Sequence, residues 1–210
     1  MSIGLTEKNL TDLSQGFNKE KFGIYLRALE LEDAETTHRW RNDEVYRRGV
    51  TSTTRFVSLA TERKWIEQAV IDHQALNHLR FALVLKRNDE MIGMMQILDI
   101  DMVNRNAAFG IMIGTGKHRG IGYVIEAGYL LFEYCFLELG LERVSARVLE
   151  DNRSSRRMLE KFGLVLEGTF RNATYKGGRF RNIVQYSLIR EQFMEQFERD
   201  KVRMQRENKE

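Results

Sequence analysis

The chain has 210 residues, of which 42% are apolar and 30% charged, enough for one globular domain with a sizeable core and too hydrophobic for a disordered segment. Its 33 basic side chains face 30 acidic ones, and a formal net charge of +3 gives no bulk positive field of the kind nucleic acid demands. The single cysteine, Cys135, rules out an intramolecular disulfide.

Cys135 lies in the apolar run Tyr129 to Phe136, the setting of a packed thiol rather than a nucleophile. No stretch approaches the roughly 20 apolar residues that span a bilayer, and the N-terminus lacks a signal-peptide core. The expectation is a cytoplasmic protein with no membrane or nucleic-acid partner. Proline is absent, so turns must rest on Gly, Asn and Asp.

Residues 1–23 show no clear period and read as a leader. Ile24 to Leu29 alternates and predicts a first strand. Glu32 and Asp33 open a helix through Trp40, where acidic side chains suit the first turn, and Arg41, Asn42 and Asp43 close it. A second helix is expected from Thr61 to Leu76, with Trp65, Ile66, Ala69 and Val70 on one face. Three strands follow as a meander: Arg80 to Lys86, Met91 to Ile100 and Asn106 to Ile113. After a Gly-rich basic loop from Gly114 to Gly122, a long helix is expected from Tyr123 to Leu139, with Gly140 as its cap.

Arg143 to Leu149 predicts another strand, Asp151 and Asn152 a turn, and Ser154 to Phe162 a short helix stopped by Gly163. Leu164 to Glu167 and Thr169 to Tyr175 read as two strands around Gly168. Lys176 to Gly178 is a hairpin turn, and Phe180 to Ile189 the returning strand. Residues 191–210 form a polar tail, helical or frayed, in which an oligomer contact stays open. Helices segregated around a mixed sheet define an α+β domain over residues 24–190.

The loop ending at Gly122 carries the first chemical signal. The opening N–H groups of a helix have no internal partner and attract anions. Gly120 and Gly122 remove side chains where a phosphate must touch backbone, and Lys117, His118 and Arg119 add positive charge. A phosphate loop of the Gly-x4-Gly-Lys-Ser/Thr type is excluded because this one continues Gly122, Tyr123, Val124. A dinucleotide fingerprint fails because Ile125 stands where its third glycine belongs. A plain turn explains a lone Gly-x-Gly equally well.

The run Arg119 to Val124 resembles the Arg/Gln-x-x-Gly-x-Gly/Ala motif of the GNAT superfamily of acyl-CoA-dependent N-acyltransferases, with Val124 in place of the last small residue. The segments Leu137 to Asn152, Ser155 with Leu159 to Gly168, and Lys176 to Asn182 are similar to the parts of that fold that follow the loop. These features resemble the branch of ribosomal-protein N-terminal and spermidine/diamine acetyltransferases. The resemblance implies a mixed, mostly antiparallel sheet splayed between strands four and five and flanked by helices.

It also implies acetyl-CoA as co-substrate, without a metal. On that resemblance Arg119, Gly120, Gly122, Tyr123 and Val124 hold the pyrophosphate. The backbone of Ile111, Met112 and Ile113 bonds the pantetheine arm like an added strand, and Asn152 bonds it as well. Asn152 reads equally well as a helix N-cap, and Ile111 and Ile113 as core. Relatives place a tyrosine where this chain has Leu159, so Ser155 is the candidate to hydrogen-bond the departing sulfur. A first-turn serine serving the helix backbone is the competing reading.

The general base stays open among Asp99, Asp101, Glu150 and water. The acceptor is expected to meet Arg41, Asn42, Asp43, Asp99 and Tyr175. It is a primary amine, either a protein N-terminus or a small molecule such as a polyamine or amino-sugar. A non-catalytic acyl-CoA-binding module is the alternative, and a homodimer remains open.

Overall fold

The computed structural model describes residues 22–52, 55–76, 78–114 and 121–207. In chain order the elements are β1 (Ile24–Ala28), a 3-10 turn (Leu31–Asp33), α1 (Ala34–Asn42), α2 (Glu44–Gly49), α3 (Leu59–Gln74), β2 (Leu79–Leu85), β3 (Met91–Asp101) and β4 (Asn106–Ile113). Then come α4 (Ile121–Glu133), continued by a π turn (Tyr134–Glu138), β5 (Arg143–Leu149), α5 (Arg153–Lys161), β6 (Val165–Lys176), β7 (Arg179–Ile189) and α6 (Arg190–Glu207). One seven-stranded sheet runs β1-β2-β3-β4-β5-β7-β6. Every neighbouring pair is antiparallel except β4 and β5.

The sheet separates two cores. Against one face lie α4, α5 and α6, with Leu131, Phe132, Phe136, Leu159, Phe162 and Tyr186 buried between them and the strands. Against the other lie α1 and α3, which bury Trp40, Ile66 and Ala69 on Ala82, Val84, Met94 and Met112. The double burial explains why β2 is nearly continuously apolar, alternating Leu79, Leu83 and Leu85 to one core with Ala82 and Val84 to the other.

The order of strands expected from periodicity holds, and the differences have local causes. A short helix, α2, stands where no element was expected. Asp43 caps it by accepting from the Tyr46 N–H at 3.0 Å, which also ends α1. The two strands expected around Gly168 are one strand, β6, with register shifts at Leu166/Gly168 and Phe170/Thr174. The turn between β6 and β7 uses Gly177 and Gly178 at φ +60° and +79°, left-handed backbone that favours glycine. The segment expected as a tail begins as α6, and its Phe193 and Phe197 are 3% and 1% exposed in the first core, so its N-terminal half is anchored rather than frayed.

Candidate active site

The parallel pair β4/β5 makes the site. Asn106, Ala107 and Ala108 are in register with Arg143, Val144 and Ser145, and there the pairing stops. Beyond it Phe109–Ile113 stays paired to β3 and Ala146–Leu149 to β7, so the two strands diverge. Each therefore turns one edge of its backbone toward the gap, and buried backbone groups need partners. The gap opens into a cleft of about 770 Å³, within the range that accommodates a small organic ligand. Ile111 and Met112 of β4, Ala146 and Val148 of β5, and Ser155, Met158 and Leu159 of α5 line it.

A second wall comes from α2 and the residues after it: Tyr46, Gly49, Val50, Thr51 and Ser52. Four long-range hydrogen bonds hold this segment. Lys176 Nζ donates to the carbonyls of Arg47, at 2.8 Å, and Val50. Thr174 Oγ1 donates to the Thr51 carbonyl at 3.1 Å, and Asn152 Nδ2 to the Gly49 carbonyl at 3.1 Å. Burial, and secondarily Arg181, lowers the affinity of Lys176 for its proton. Burial raises the Tyr46 phenol above its ordinary value, so it stays neutral at physiological pH.

The residues singled out from sequence fall into three groups. Ile111, Met112, Ser155 and Asp99 line the cleft. Asn152 sits at its edge as the N-cap of α5. Its Oδ1 accepts from the Ser155 N–H at 3.1 Å and from Ser154 Oγ at 2.9 Å, while Nδ2 reaches Gly49. The cap is thus the Asn152 amide oxygen, to which Ser154 Oγ also donates, and Ser155 Oγ has no partner among the described residues. Ile113 ends β4 and packs on the core.

At the start of α4, Val124 turns its side chain into the core, 6% exposed, and Tyr123 lies over Gly23, where a Cβ would stand 2.7 Å from its ring. Gly122 has nothing within 4 Å of an added Cβ, so packing of the described residues gives no reason for glycine there. Arg119 and Gly120 lie outside the described residues, as do Lys117 and His118.

The expected acceptor residues at the end of α1 have structural tasks. Arg41 pairs with the buried Glu62 at 3.0 Å and stacks over Trp65. Asn42 bonds the N–H and carbonyl of Val57, and Asp43 caps α2. Tyr175 is 61% exposed and packs edge-on to Phe180, away from the cleft lining.

What the sequence did not reveal is the polar group on the far side of the cleft: Gln96 on β3, Arg147 on β5 and Gln185 on β7. Alternation places such residues on one face of their strands, but nothing local says that the face borders a cavity. Among the described residues no group of three His, Cys, Asp or Glu is placed to hold a metal. No described helix is long and apolar enough to cross a membrane.

The sheet is mixed, opens between two parallel strands, and is followed after β4 by α4. Residues 24–165 match the acetyltransferase (GNAT) domain family. The uncharacterized N-acetyltransferase p20 of Bacillus licheniformis is 30% identical over 81% of this chain and 94% of its own. The spermidine N(1)-acetyltransferase of Escherichia coli K12 is 23% identical over 81% of this chain and 88% of its own. A crystal structure of spermidine N-acetyltransferase from Vibrio cholerae, in complex with CoA and spermine, superposes with a TM-score of 0.74 at 21% identity, over 82% of this chain and 98% of that one. The chain belongs to the GNAT acetyltransferase family, and as such is an acetyl-CoA-dependent N-acetyltransferase.

Proposed function

We infer that the protein transfers the acetyl group of acetyl-CoA directly to a primary amine within the cleft between β4 and β5. The observation that carries this reading is the divergence of β4 and β5 after three paired residues, which leaves two backbone edges facing one cavity. An amide-rich pantetheine arm is the kind of ligand that completes such an edge, through Ile111, Met112 and Ile113. Gly122 supports a phosphate contact at the start of α4, because close backbone approach of a ligand calls for glycine where protein packing does not. Arg119, Gly120, Tyr123 and Val124 complete that contact, the last two through backbone, since their side chains pack inward. Asn152 fixes the first turn of α5 and ties it to the second wall.

Acetyl-CoA supplies an activated thioester; the chain supplies placement, charge stabilisation and a hydrogen bond to the sulfur. A backbone N–H near Met112 or Ile113 stabilises negative charge on the carbonyl oxygen. Ser155 lines the cleft, and its Oγ, with no protein partner among the described residues, donates to the departing sulfur. Leu159, 1% exposed on the same helix, brings no proton to that end of the cleft. The acceptor enters under the second wall rather than against Arg41, Asn42 and Asp43, and Asp99 lines the other end of the same cleft, near the level of Ala108. The test is free-thiol release from acetyl-CoA with polyamines, amino-sugars, amino acids and peptides with free N-termini. Release that requires an amine is expected. CoA binding without release for every amine refutes the reading.

A further inference from the structure

The polar side of the cleft is poorly matched to a polycation. Its charged lining side chains, among the described residues, are Asp99, Arg143 and Arg147. Arg143 is already neutralised by a bidentate pair with Glu167, which reaches it across β7. Arg147 has no carboxylate partner among the described residues, yet it is held in place. Its Nε donates to Gln185 Oε1 at 3.0 Å, and its guanidinium lies over the Phe170 ring at 5.0 Å. Gln185 is itself fixed by donating to Glu167 at 3.3 Å. A guanidinium anchored through Nε and one face keeps its two terminal nitrogens for a ligand, in the fork that matches a carboxylate.

Its position along the strand also fits. Extending the register of Asn106↔Arg143 and Ala108↔Ser145 sets Arg147 at the level of Gly110, across the gap and two residues before Met112. Two residues of strand span roughly 7 Å. Along the strand direction, an anion at Arg147 and an amine beside Met112 are therefore offset by about the length of one short molecule. A polyamine there would meet the Arg147 guanidinium, with Arg143 neutralised by Glu167 and Asp99 the one lining carboxylate.

We propose that Arg147 selects the acceptor, and that the acceptor is a small amine carrying a carboxylate, of the amino-acid class, rather than a polyamine. This rests on the acetyl-transfer reading of the same cleft. The experiment compares thiol release for α- and ω-amino acids, their carboxamides and spermidine, with the native chain and with Arg147→Gln and Arg147→Lys. A carboxylate acceptor is expected to exceed its own carboxamide in kcat/KM. Arg147→Gln is expected to raise KM for the carboxylate roughly ten- to hundredfold, the loss of a charge-assisted pair. It leaves kcat, the KM of acetyl-CoA and the carboxamide rate near native, and Arg147→Lys recovers part of the loss.

Equal use of acid and carboxamide, or a preference for spermidine, overturns the proposal and leaves acetyl transfer standing. An equal loss for both members of a pair in Arg147→Gln also overturns it, because the residue is then acting on the fold. Absence of thiol release with every amine overturns acetyl transfer and this proposal with it.

Discussion

Ser155→Ala isolates the chemistry from the fold. Ser155 is the third residue of α5, and its backbone N–H, not its hydroxyl, meets the Asn152 cap at 3.1 Å. Ser155 lines the cleft and its hydroxyl has no partner among the described residues, so its removal breaks no bond within the described fold. Alanine is the better helix former by about 0.5 kcal/mol, so stability should hold or rise slightly. If the hydroxyl donates to a departing thiolate, the loss is that of one hydrogen bond to a charged group, about 1.5–3 kcal/mol. At 1.36 kcal/mol per decade that is roughly a 10- to 150-fold fall in the chemical rate. Single-turnover thiol release at saturating acetyl-CoA reads the rate, and equilibrium binding of CoA should stay within about twofold of native. Ser154→Ala serves as control: it removes an exposed bond to Asn152 Oδ1 and should leave the rate alone. An unchanged single-turnover rate in Ser155→Ala refutes the contact with sulfur, and a fall in melting temperature of several degrees refutes the claim that the hydroxyl is idle in the fold.

Three further outcomes follow from the same geometry. Asn152→Ala removes both the α5 cap and the bond to Gly49, about 1.5–2.5 kcal/mol together, and frees the second wall; urea unfolding and acetyl-CoA affinity should both weaken, and a native midpoint counts against the double role. Gly128→Ala sets propensity against packing: a helix interior gains about 1 kcal/mol from alanine, but here a Cβ falls 2.3 Å from Phe162 in the core, so a net loss of about 1–3 kcal/mol is expected, and a stabilised variant on thermal unfolding contradicts the packing. The Arg143 guanidinium, helped by Ser187 and Gln185, holds the Glu167 carboxyl down to about 2 from 4.5. A depressed carboxylate stabilises the folded chain above its unfolded value and loses that contribution as pH falls through the folded one. The stability gap between native protein and Glu167→Gln should therefore be full above pH 4.5 and close toward pH 2; a gap that persists at pH 2 is inconsistent with the ion pair as its source.

The sequence by itself determined the alternation of elements, the α+β class and the start of α4. Those depend on residues close in the chain: the period of Arg143 to Leu149, the glycines at 163, 177 and 178, and the apolar stripe of α4. It also placed Ser155 and Asn152 one turn apart on a helix start, because a cap and its partner are three residues apart. Tertiary structure alone decided what surrounds them. The second wall of the cleft depends on Asn152 meeting Gly49 and Lys176 meeting Arg47, pairs separated by 103 and 129 residues, which no local pattern encodes. Arg41, Asn42 and Asp43 look in sequence like a polar mouth, yet Glu62, Val57 and Tyr46 claim them. Arg147 looks like any outward residue of an alternating strand, and its distinction arises from Gln185, Phe170 and the point where β4 leaves β5. Periodicity says which face of a strand a side chain occupies; only the packed sheet says whether that face meets solvent, core or a cavity.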